Sequence, residues 1–238
     1  MKRTLENKIA VVTGGSGAIG SAIIADLEQQ GACAVSMDVA RPAATPFQAC
    51  DVRDDGSVAS AIVKVQQTYG HLDLVVHAAG VSREAVLWKL AVEDWDFVQS
   101  VNLRGAFLLL RYAIPVMRAG EGGRIVLIGS INGSRGKFGT SAYSASKAGL
   151  IALARTVARE VARLRILINV VEPGWVRTPL TDSLPQAVRD AALAESLVGR
   201  YVEPADVAAA VTFLCGPGAQ QITGQILRVD GGQSLGSV

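Results

Sequence analysis

The sequence contains few of the residues that build disulfide frameworks or metal sites. It has 3 cysteines, Cys33, Cys50 and Cys215, and 2 histidines among 238 residues. The cysteines lie far apart without CxxC spacing, and His71 and His77 have no clustered ligand residues beside them. We therefore expect neither disulfides nor a bound metal, and the free thiols favour a reducing, cytoplasmic location.

An excess of charge of one sign and long hydrophobic runs are also absent. Lys and Arg total 23 against 21 Asp and Glu, so the net charge of +2 gives no reason to expect a nucleic acid or a membrane surface as partner. The basic start MKRTLENKIA lacks the apolar run of a signal peptide, and the aliphatic stretches elsewhere are too short to span a bilayer. These absences predict a soluble cytoplasmic protein.

Aromatic residues make up only 5% of the chain, whereas hydrophobic residues make up 50%. Ala, Val, Leu and Ile must therefore build most of the core. A chain of 238 residues fits one large domain better than two average ones, and no Pro/Gly/Ser linker or internal repeat divides it. We expect a single domain over residues 1–238.

Short apolar runs alternate with segments of helical periodicity along the chain. This alternation indicates an α/β fold with a doubly wound parallel sheet covered on both faces. One long irregular region, 174–203, is functional by its length, and 179–200 within it resembles a partly helical substrate lid. The predicted strands are 8–14, 34–38, 72–78, 123–130, 165–171 and 225–231, and the predicted helices are 18–30, 55–69, 93–118, 142–163 and 204–215.

The segment TGGSGAIG, residues 13–20, joins the first predicted strand to the first helix. Glycines at such a turn let the backbone approach a pyrophosphate, and the helix N-terminus supplies amide donors. Asp38 ends the second strand, where a carboxylate can accept hydrogen bonds from an adenosine ribose and would repel a 2′-phosphate. The turn contains no Lys or Arg, although Arg41 is close in sequence. The pattern favours NAD over NADP.

The stretch SAYSASKAGL, residues 141–150, places Tyr143 and Lys147 one helical turn apart among small side chains. Taken alone, this spacing also fits an amphipathic helix with a half-exposed tyrosine and a solvated lysine. The other motifs of the chain decide between these interpretations.

Further motifs follow the glycine turn along the chain. They are HAAG at 77–80, Asn102, Ser130, PGWVRT at 173–178 and VDGG at 229–232. Together with TGGSGAIG and Tyr143-S-A-S-Lys147, these motifs resemble the short-chain dehydrogenase/reductase family over about residues 6–234. Each motif alone is weak, but their order along the chain is specific. The resemblance implies a doubly wound Rossmann fold, a nicotinamide cofactor, and hydride transfer between an alcohol and a ketone.

The resemblance implies catalytic roles for Asn102, Ser130, Tyr143 and Lys147. Tyr143 would give a proton to a carbonyl oxygen or remove one from an alcohol. Lys147 would lower the pKa of that tyrosine and hold the nicotinamide ribose. Ser130 would bind the reacting oxygen, its alternative being a cap of the strand-end turn. Asn102 would hold a water that links Lys147 to solvent.

The resemblance also implies cofactor contacts from the glycine turn to the loop after the predicted strand 165–171. Asp51, placed at the end of a third strand, would contact the adenine amino group, although an N-cap of the helix near Asp54 is the alternative. Thr178 would contact the nicotinamide carboxamide. The full cofactor-binding set is Gly14, Ser16, Gly17, Ile19, Gly20, Asp38, Asp51, Val52, Ala79, Gly80, Tyr143, Lys147, Pro173, Gly174, Val176 and Thr178.

Three residues depart from the family pattern. Ala18 stands at the middle glycine of the turn, where its methyl group is tolerable but could weaken cofactor affinity. His77 stands at a usual Asn and is expected to satisfy a backbone group at the strand end. Glu172 stands where a smaller or neutral residue is commoner. We expect it to face solvent, or to influence substrate choice by its charge.

The expected substrate pocket is apolar with few fixed charges, which favours a secondary alcohol or ketone with an apolar portion. The alternative is a 3-oxoacyl-thioester reductase acting on an acyl carrier protein or CoA substrate, because 80–96 and 222–232 resemble that branch. Arg124 would then contact a carrier phosphate. Biosynthetic reduction generally draws on NADPH, whereas Asp38 favours NAD. The predicted wall is Ile131, Asn132, Phe138, Trp175, Leu180 and Leu184.

A third hypothesis is a non-catalytic protein that senses NAD. Such a protein would have no need of Ser130, Tyr143 and Lys147 together, so this hypothesis ranks last. The predicted helices 93–118 and 142–163 carry more apolar residues than one inner face requires. Related enzymes pair these helices across a two-fold axis, and we therefore expect a homotetramer.

Overall fold

The computed structural model describes residues 3–41 and 46–236, except the side chain of Leu180. Seven parallel strands form one sheet in the order β3-β2-β1-β4-β5-β6-β7. The chain crosses between β3 and β4, so the sheet is doubly wound, as predicted. The strands are β1 (Ile9–Thr13), β2 (Cys33–Asp38), β3 (Phe47–Ala49), β4 (Leu74–His77), β5 (Gly123–Ile128), β6 (Ile166–Pro173) and β7 (Ile226–Val229).

Helices cover both faces of this sheet. A π-helical turn, Ser100–Arg104, joins α3 to α4, so the predicted helix 93–118 is divided into three segments. The other predicted helices begin and end within two residues of the observed bounds. The helices are α1 (Ala18–Gln29), α2 (Asp55–Tyr69), α3 (Val92–Gln99), α4 (Gly105–Ala119), α5 (Ile131–Arg135), α6 (Ser141–Val161), α7 (Pro179–Asp182), α8 (Gln186–Ala194) and α9 (Pro204–Cys215).

The alternation of side chains along each strand divides the core into two layers. In β1, Val11 faces a cluster formed with α2, α4 and α6, whereas Ala10 and Val12 face a cluster formed with α1 and α9. Because both faces of the strand are buried, its sequence is continuously apolar. The short edge strand β3 has no buried residue, which explains why its pattern gives only a weak strand signal.

The carboxyl ends of β1, β4, β5 and β6 bring the sequence motifs to one edge of the sheet. Arg124, the residue considered for a carrier phosphate, lies instead at the amino end of β5, where its N–H donates to Asp73 O at 2.8 Å. It therefore lies at the opposite edge from Ser130, which follows the carboxyl end of the same strand. The prediction that Arg124 contacts a carrier phosphate is therefore wrong for a carrier bound at the carboxyl edge of the sheet.

The described residues contain neither a membrane-spanning helix nor a cluster of metal-binding side chains. None of their helices is long and apolar enough to cross a membrane. No group of three His, Cys, Asp or Glu side chains in residues 3–41 and 46–236 could hold a metal ion. Cys33, Cys50 and Cys215 are free thiols.

Candidate active site

A cavity of about 930 Å³ opens at the carboxyl edge of the sheet. The glycine turn lines one part of it, and Ser130, Tyr143 and Lys147 line another. Pro173 and Gly174, which follow β6, close a third side. Residues from four separate chain segments thus meet around one space, as expected for a ligand site of an open α/β sheet.

The glycine turn packs tightly against the protein backbone and leads into the N-terminus of α1. Gly14 has φ +67°, and a Cβ atom there would lie 2.7 Å from the backbone of Ala79. A Cβ atom at Gly20 would collide with the carbonyl oxygen of Gly14. The N-cap of α1 is Gly17, which provides no side-chain hydrogen bond to the first amides of the helix. These amides fit the pyrophosphate of a dinucleotide. Ala18 begins α1 and lines the cavity without disturbing this turn.

Lys147 is a buried cation that faces the cavity. Its Nζ donates a hydrogen bond to Ile128 O at 2.8 Å, and burial lowers its pKa to about 8. No ion pair joins it to a carboxylate in the part of the chain that the structure describes. A Cβ atom at Gly80 would lie 3.3 Å from Nζ, so glycine keeps the space beside the ammonium group open. Two remaining donors fit ribose hydroxyls.

Tyr143 lies one turn before Lys147 on α6, and the Lys147 Nζ is 5.6 Å from the centroid of its ring. Burial raises the pKa of Tyr143, a hydrogen bond with Ser130 lowers it, and the charge of Glu84 raises it further. The expectation that Lys147 makes the net shift downward is therefore wrong for this arrangement. Burial has the larger effect, and the phenol keeps its proton at neutral pH.

Ser130 has two structural relationships at once. It is the N-cap of α5, and its Oγ accepts from the Asn132 N–H at 3.2 Å. The same hydroxyl lines the cavity wall with Tyr143 and lowers the pKa of the phenol. The capping interpretation and the oxygen-binding interpretation are compatible, because one hydroxyl can accept from an amide and still donate.

Asn102 lies in the π-helical turn and is fully buried. Its Oδ1 accepts from the Val81 N–H at 2.8 Å, and its Nδ2 donates to Val81 O at 3.0 Å and to Ser146 Oγ at 2.9 Å. Both amide donors are thus used within the protein. A water bound by Asn102 would need the backbone carbonyl or the second lone pair of Oδ1.

Comparisons with known proteins identify the family to which this chain belongs. A family model described as enoyl-(acyl carrier protein) reductase matches residues 15–234. The 3-oxoacyl-[acyl-carrier-protein] reductase FabG of Thermotoga maritima is 34% identical, over 96% of this chain and 98% of that reductase. The (3R)-3-hydroxyacyl-CoA dehydrogenase of Canis lupus familiaris is 37% identical, over 96% of each chain. This chain belongs to the short-chain dehydrogenase/reductase family.

Solved structures agree with the assignment. The crystal structure of gox2181 superposes with a TM-score of 0.94 at 30% identity, covering 98% of this chain and 97% of that one. The ligand-free aldohexose dehydrogenase AldT of Thermoplasma acidophilum gives a TM-score of 0.91 at 29% identity, covering 97% and 95% of the two chains. The chain is accordingly an oxidoreductase that acts on alcohol and carbonyl groups with a nicotinamide cofactor.

Asp38 lies beside the glycine turn of this short-chain dehydrogenase/reductase. Its Oδ2 accepts from the Ser16 N–H at 3.0 Å, and its Oδ1 accepts from the Val39 N–H at 2.7 Å. The Arg41 guanidinium stacks 5.7 Å from the centroid of the Phe47 ring and forms no ion pair with Asp38. The carboxylate charge is therefore not neutralised by a neighbouring cation among the described residues.

Asp51 and Val52 follow β3 and do not line the main cavity. The strand itself ends at Ala49, two residues before Asp51. Arg53 pairs with the Asp51 carboxylate at 2.7 Å, and hydrogen bonding with Arg53 lowers the pKa of Asp51. Asp54 caps α2 by accepting from the Ser57 N–H at 2.6 Å, so the N-cap role does not belong to Asp51.

The remaining cofactor residues lie where the family pattern leads one to expect them, with two exceptions. Ser16 and Ala79 do not line the cavity: Ser16 bonds Asp38 and Ala40, and Ala79 donates its N–H to Thr13 Oγ1 at 3.3 Å. Thr178 caps α7 through a reciprocal bond with Thr181 while lining the cavity. The other cavity-lining members of the set are Gly14, Gly17, Ile19, Gly20, Gly80, Pro173, Gly174 and Val176.

His77 is the last residue of β4 and satisfies a backbone group, as expected. That group is the Asn102 carbonyl in the π-helical turn and does not belong to the strand end. Its Nε2 donates to the carbonyl oxygen of Asn102 at 3.2 Å, because a carbonyl can only accept. Its Nδ1 therefore accepts from the Thr13 hydroxyl at 2.9 Å. Burial, together with the charge of Lys147, lowers the pKa of His77 to about 3, so the ring is neutral.

Glu172 does not face solvent, and that expectation is wrong. Its side chain is 0% exposed, accepts from Ser134 Oγ at 2.7 Å and pairs with Arg228 Nε at 3.1 Å. Arg228 is its neighbour in the register of β6 and β7, and Ser134 extends from α5. The carboxylate is buried because two other elements supply its partners.

The structure brings four of the residues predicted for the pocket wall to the cavity. Ile131, Asn132, Trp175 and Leu184 line it, whereas Phe138 is 86% exposed and does not. The side chain of Leu180 lies outside the part of the chain that the structure describes. The wall also carries more charged side chains than the few that we expected. The charged side chains that line it besides Lys147 are Arg83, Glu84, Arg135 and Lys137.

Sequence reasoning missed these four charged residues. Arg83 and Glu84 occur in SREA, in the loop that follows β4. Arg135 and Lys137 occur in SRGK, at the end of the short helix α5 that follows β5 and just beyond it. Segments that follow strands lie at the carboxyl edge of an open α/β sheet, which is where ligands bind. Their position in the strand order was thus a signal that could have identified them.

Proposed function

We propose that this protein is an NAD(H)-dependent oxidoreductase that interconverts a secondary alcohol and a ketone, with Tyr143 as general acid and base. One observation carries the proposal: the phenol of Tyr143 lies with Ser130 and the buried Lys147 at a cavity that also receives the glycine turn. When bound, the dinucleotide supplies or accepts the hydride. The protein binds and orients the reactants and moves the proton.

Tyr143 holds the proton that the reaction needs. Because its pKa is raised by burial, the phenol is protonated at neutral pH and can donate to the oxygen of a ketone. Ser130, which lines the cavity with Tyr143, would orient the same oxygen. The charge of Lys147 would stabilise the phenolate that remains after donation. Oxidation of the alcohol would run these roles in reverse.

The proposed preference for NAD is supported by Asp38. Its charge is not neutralised by a neighbouring cation among the described residues, and it accepts from the Ser16 N–H in the middle of the glycine turn. A 2′-phosphate near this carboxylate would be repelled, whereas ribose hydroxyls would donate to it. Asp51 is a weaker part of the proposal, since its carboxylate is already paired with Arg53.

A second candidate is reduction of a 3-oxoacyl thioester. It is favoured by the FabG and (3R)-3-hydroxyacyl-CoA dehydrogenase relatives, which match nearly the whole chain. The two candidates share the chemistry at Tyr143 and differ in what the ketone carries. The charged residues of the wall make a purely apolar substrate less suitable than we expected from the sequence.

We also propose a homotetramer with a substrate lid at 179–200. Phe107 on α4 is 46% exposed, an apolar side chain that a second copy would cover. The proposed lid comprises α7 and α8, and its far end is held to the loop after β7 by the Leu197 N–H, which donates to Gly231 O at 2.9 Å. Light scattering at micromolar concentration measures the assembly; a monomer would contradict it.

Tyr143→Phe is the variant that tests the catalytic proposal. NADH and NADPH are titrated into the wild type and the variant at equal concentrations, and turnover is measured with a panel of secondary alcohols and ketones. We expect tighter NADH binding in both proteins and a fall in kcat of at least about a hundredfold in the variant, the usual size of a proton-transfer contribution. Unchanged turnover would exclude Tyr143 as acid and base. Tighter NADPH binding would exclude the assigned cofactor preference.

A further inference from the structure

Lys137 holds a cation against an aromatic ring at the cavity wall. The ammonium Nζ lies 5.1 Å from the centroid of the Trp175 ring, and both residues line the cavity. The backbone of Lys137 is fixed because its carbonyl accepts from both the N–H and the Oγ1 of Thr140, at 3.2 and 2.9 Å. Trp175 is fixed by its own N–H, which donates to Gln233 Oε1 at 2.8 Å.

The two arginines of the wall are already paired with carboxylates, and Lys147 is the buried cation beside Tyr143. Arg83 lies 3.4 Å from Asp94, and Arg135 lies 2.9 Å from Glu195. Lys137 forms no ion pair with any carboxylate in residues 3–41 and 46–236. The charge of Lys137 helps to lower the pKa of Glu195, but the hydrogen bonds of this carboxylate come from Arg135 and Gln233. Lys137 is thus a positive charge at the wall that no protein anion neutralises within the described residues.

A negative charge also lies at the cavity wall, close enough to the reacting tyrosine to act on it. Glu84 lines the cavity, and its charge acts on Tyr143. It forms no ion pair within the described part of the chain. The cavity therefore carries charges of opposite sign near Tyr143 and near Trp175. An anionic substrate would be repelled from the Glu84 side and attracted to the Lys137 side.

We propose that Lys137 binds an anionic group of the substrate, a carboxylate or a phosphate, while the adjoining part of the substrate contacts the Trp175 ring. This inference rests on the proposed function, because it concerns the ketone or alcohol that reacts at Tyr143. It narrows the substrate class to secondary alcohols and ketones that bear a negative charge away from the reacting carbon. The carboxylate of the substrate's own chain and the phosphates of a carrier are the two sources of that charge.

Two matched substrate pairs test the inference and separate the two sources. The first pair is a 3-oxo diacid monoester with a free terminal carboxylate and the corresponding neutral diester. The second pair is a 3-oxoacyl-CoA, which carries phosphates, and the neutral N-acetylcysteamine thioester of the same acyl group. The readout is the ratio of KM between the neutral and the anionic member, measured for wild type, Lys137→Met, Lys137→Arg and Lys64→Met. Lys64 is an exposed lysine of α2 that does not line the cavity.

We expect the wild type to favour the anionic member of at least one pair. Lys137→Met should reduce that preference about fivefold, the upper end for an ion pair exposed to solvent. Lys137→Arg should keep it, and added salt should weaken it in the wild type and in Lys137→Arg but not in Lys137→Met. An effect confined to the first pair identifies a carboxylate, and one confined to the second identifies a phosphate.

Equal ratios in wild type and Lys137→Met for both pairs would overturn the inference and leave the proposed function intact. An equal loss in Lys64→Met would overturn it as well, since the effect would then come from the overall charge. If the wild type reduces neither these nor other ketones with either dinucleotide, and oxidises no secondary alcohol, the proposed function fails and the inference falls with it.

Discussion

His77 Nε2 donates to the backbone carbonyl of Asn102 at 3.2 Å, and so connects the end of β4 to the π-helical turn. On its other side, Nδ1 accepts from Thr13, its register partner on β1. Asn102 in turn binds Val81 and Ser146, and Ser146 lies one residue before Lys147. A buried neutral ring therefore helps to hold together the strand ends and helices that surround the site.

We expect His77→Ala to lower the free energy of unfolding by about 2–4 kcal/mol, because it removes the ring donor of the Asn102 carbonyl and the ring acceptor of the Thr13 hydroxyl and creates a cavity. His77→Asn should cost less, since an amide can both donate and accept. Denaturant unfolding at pH 7 measures both. Equal stabilities of His77→Ala and wild type would contradict the role of the ring.

The same residue predicts a pH dependence of stability. The pKa of His77 is lowered to about 3, below the usual 6.5, so the unfolded chain binds a proton that the folded chain does not. The stabilisation is complete above pH 6.5 and is lost as pH falls toward 3. The wild type should therefore lose more stability between pH 6.5 and 4 than His77→Asn does. Parallel curves for the two proteins would exclude this titration.

Replacing Lys147 should lower the activity and raise the stability of the protein. Its folded pKa of about 8 lies below the usual 10.5, so its buried charge is unfavourable below pH 8, and this cost disappears as pH rises toward 10.5. Lys147→Met should abolish turnover yet raise the free energy of unfolding at pH 7 by about 1–2 kcal/mol, after the lost hydrogen bond to Ile128 is counted.

Chemical unfolding at pH 7 and pH 10 tests this, because the advantage of Lys147→Met over wild type should shrink at the higher pH. A conservative comparison is Lys147→Arg, which keeps a charge that cannot be lost in this range. A variant less stable than wild type at pH 7 would show that the hydrogen bond outweighs the burial of the charge.

Much of the fold could be predicted from the sequence because it depends on local patterns. Continuous apolar runs identify buried parallel strands, and the order of the strands alone determines which loops meet at the carboxyl edge. The Tyr143, Lys147 and Ser130 cluster follows from that order. The edge strand β3 is the exception, since three half-exposed residues carry little periodic signal.

What could not be predicted depends on partners distant in sequence. Glu172 is buried because Arg228, 56 residues later, is its neighbour in the sheet. Phe138 is apolar yet 86% exposed and does not line the cavity, which its apolar character alone could not indicate. The direction of the Tyr143 pKa shift depends on burial, which no spacing between tyrosine and lysine reveals.

Asp38 should determine which dinucleotide binds. Asp38→Ala removes the charge that would repel a 2′-phosphate and the acceptors that would bind ribose hydroxyls. We expect the ratio of NADPH to NADH affinity to rise by about tenfold or more, which is about 1.4 kcal/mol. The control is Asp96→Ala, an exposed carboxylate of α3. An unchanged ratio in Asp38→Ala would mean that another residue selects the cofactor.

Glu172 is a fully buried carboxylate whose two partners belong to different elements. Glu172→Ala should lower the free energy of unfolding by about 1–3 kcal/mol, since it removes the acceptor of Ser134 and leaves a cavity, whereas the half-exposed Arg228 stays solvated. Ser134 belongs to α5, the helix that Ser130 caps, so kcat should fall as α5 loses this connection to β6. Glu172→Gln keeps an acceptor for Ser134 but not the charge beside Arg228. If α5 is held through Ser134, this variant retains most of kcat while losing stability, whereas an equal loss of kcat in both variants would mean that the charge itself acts at the active site.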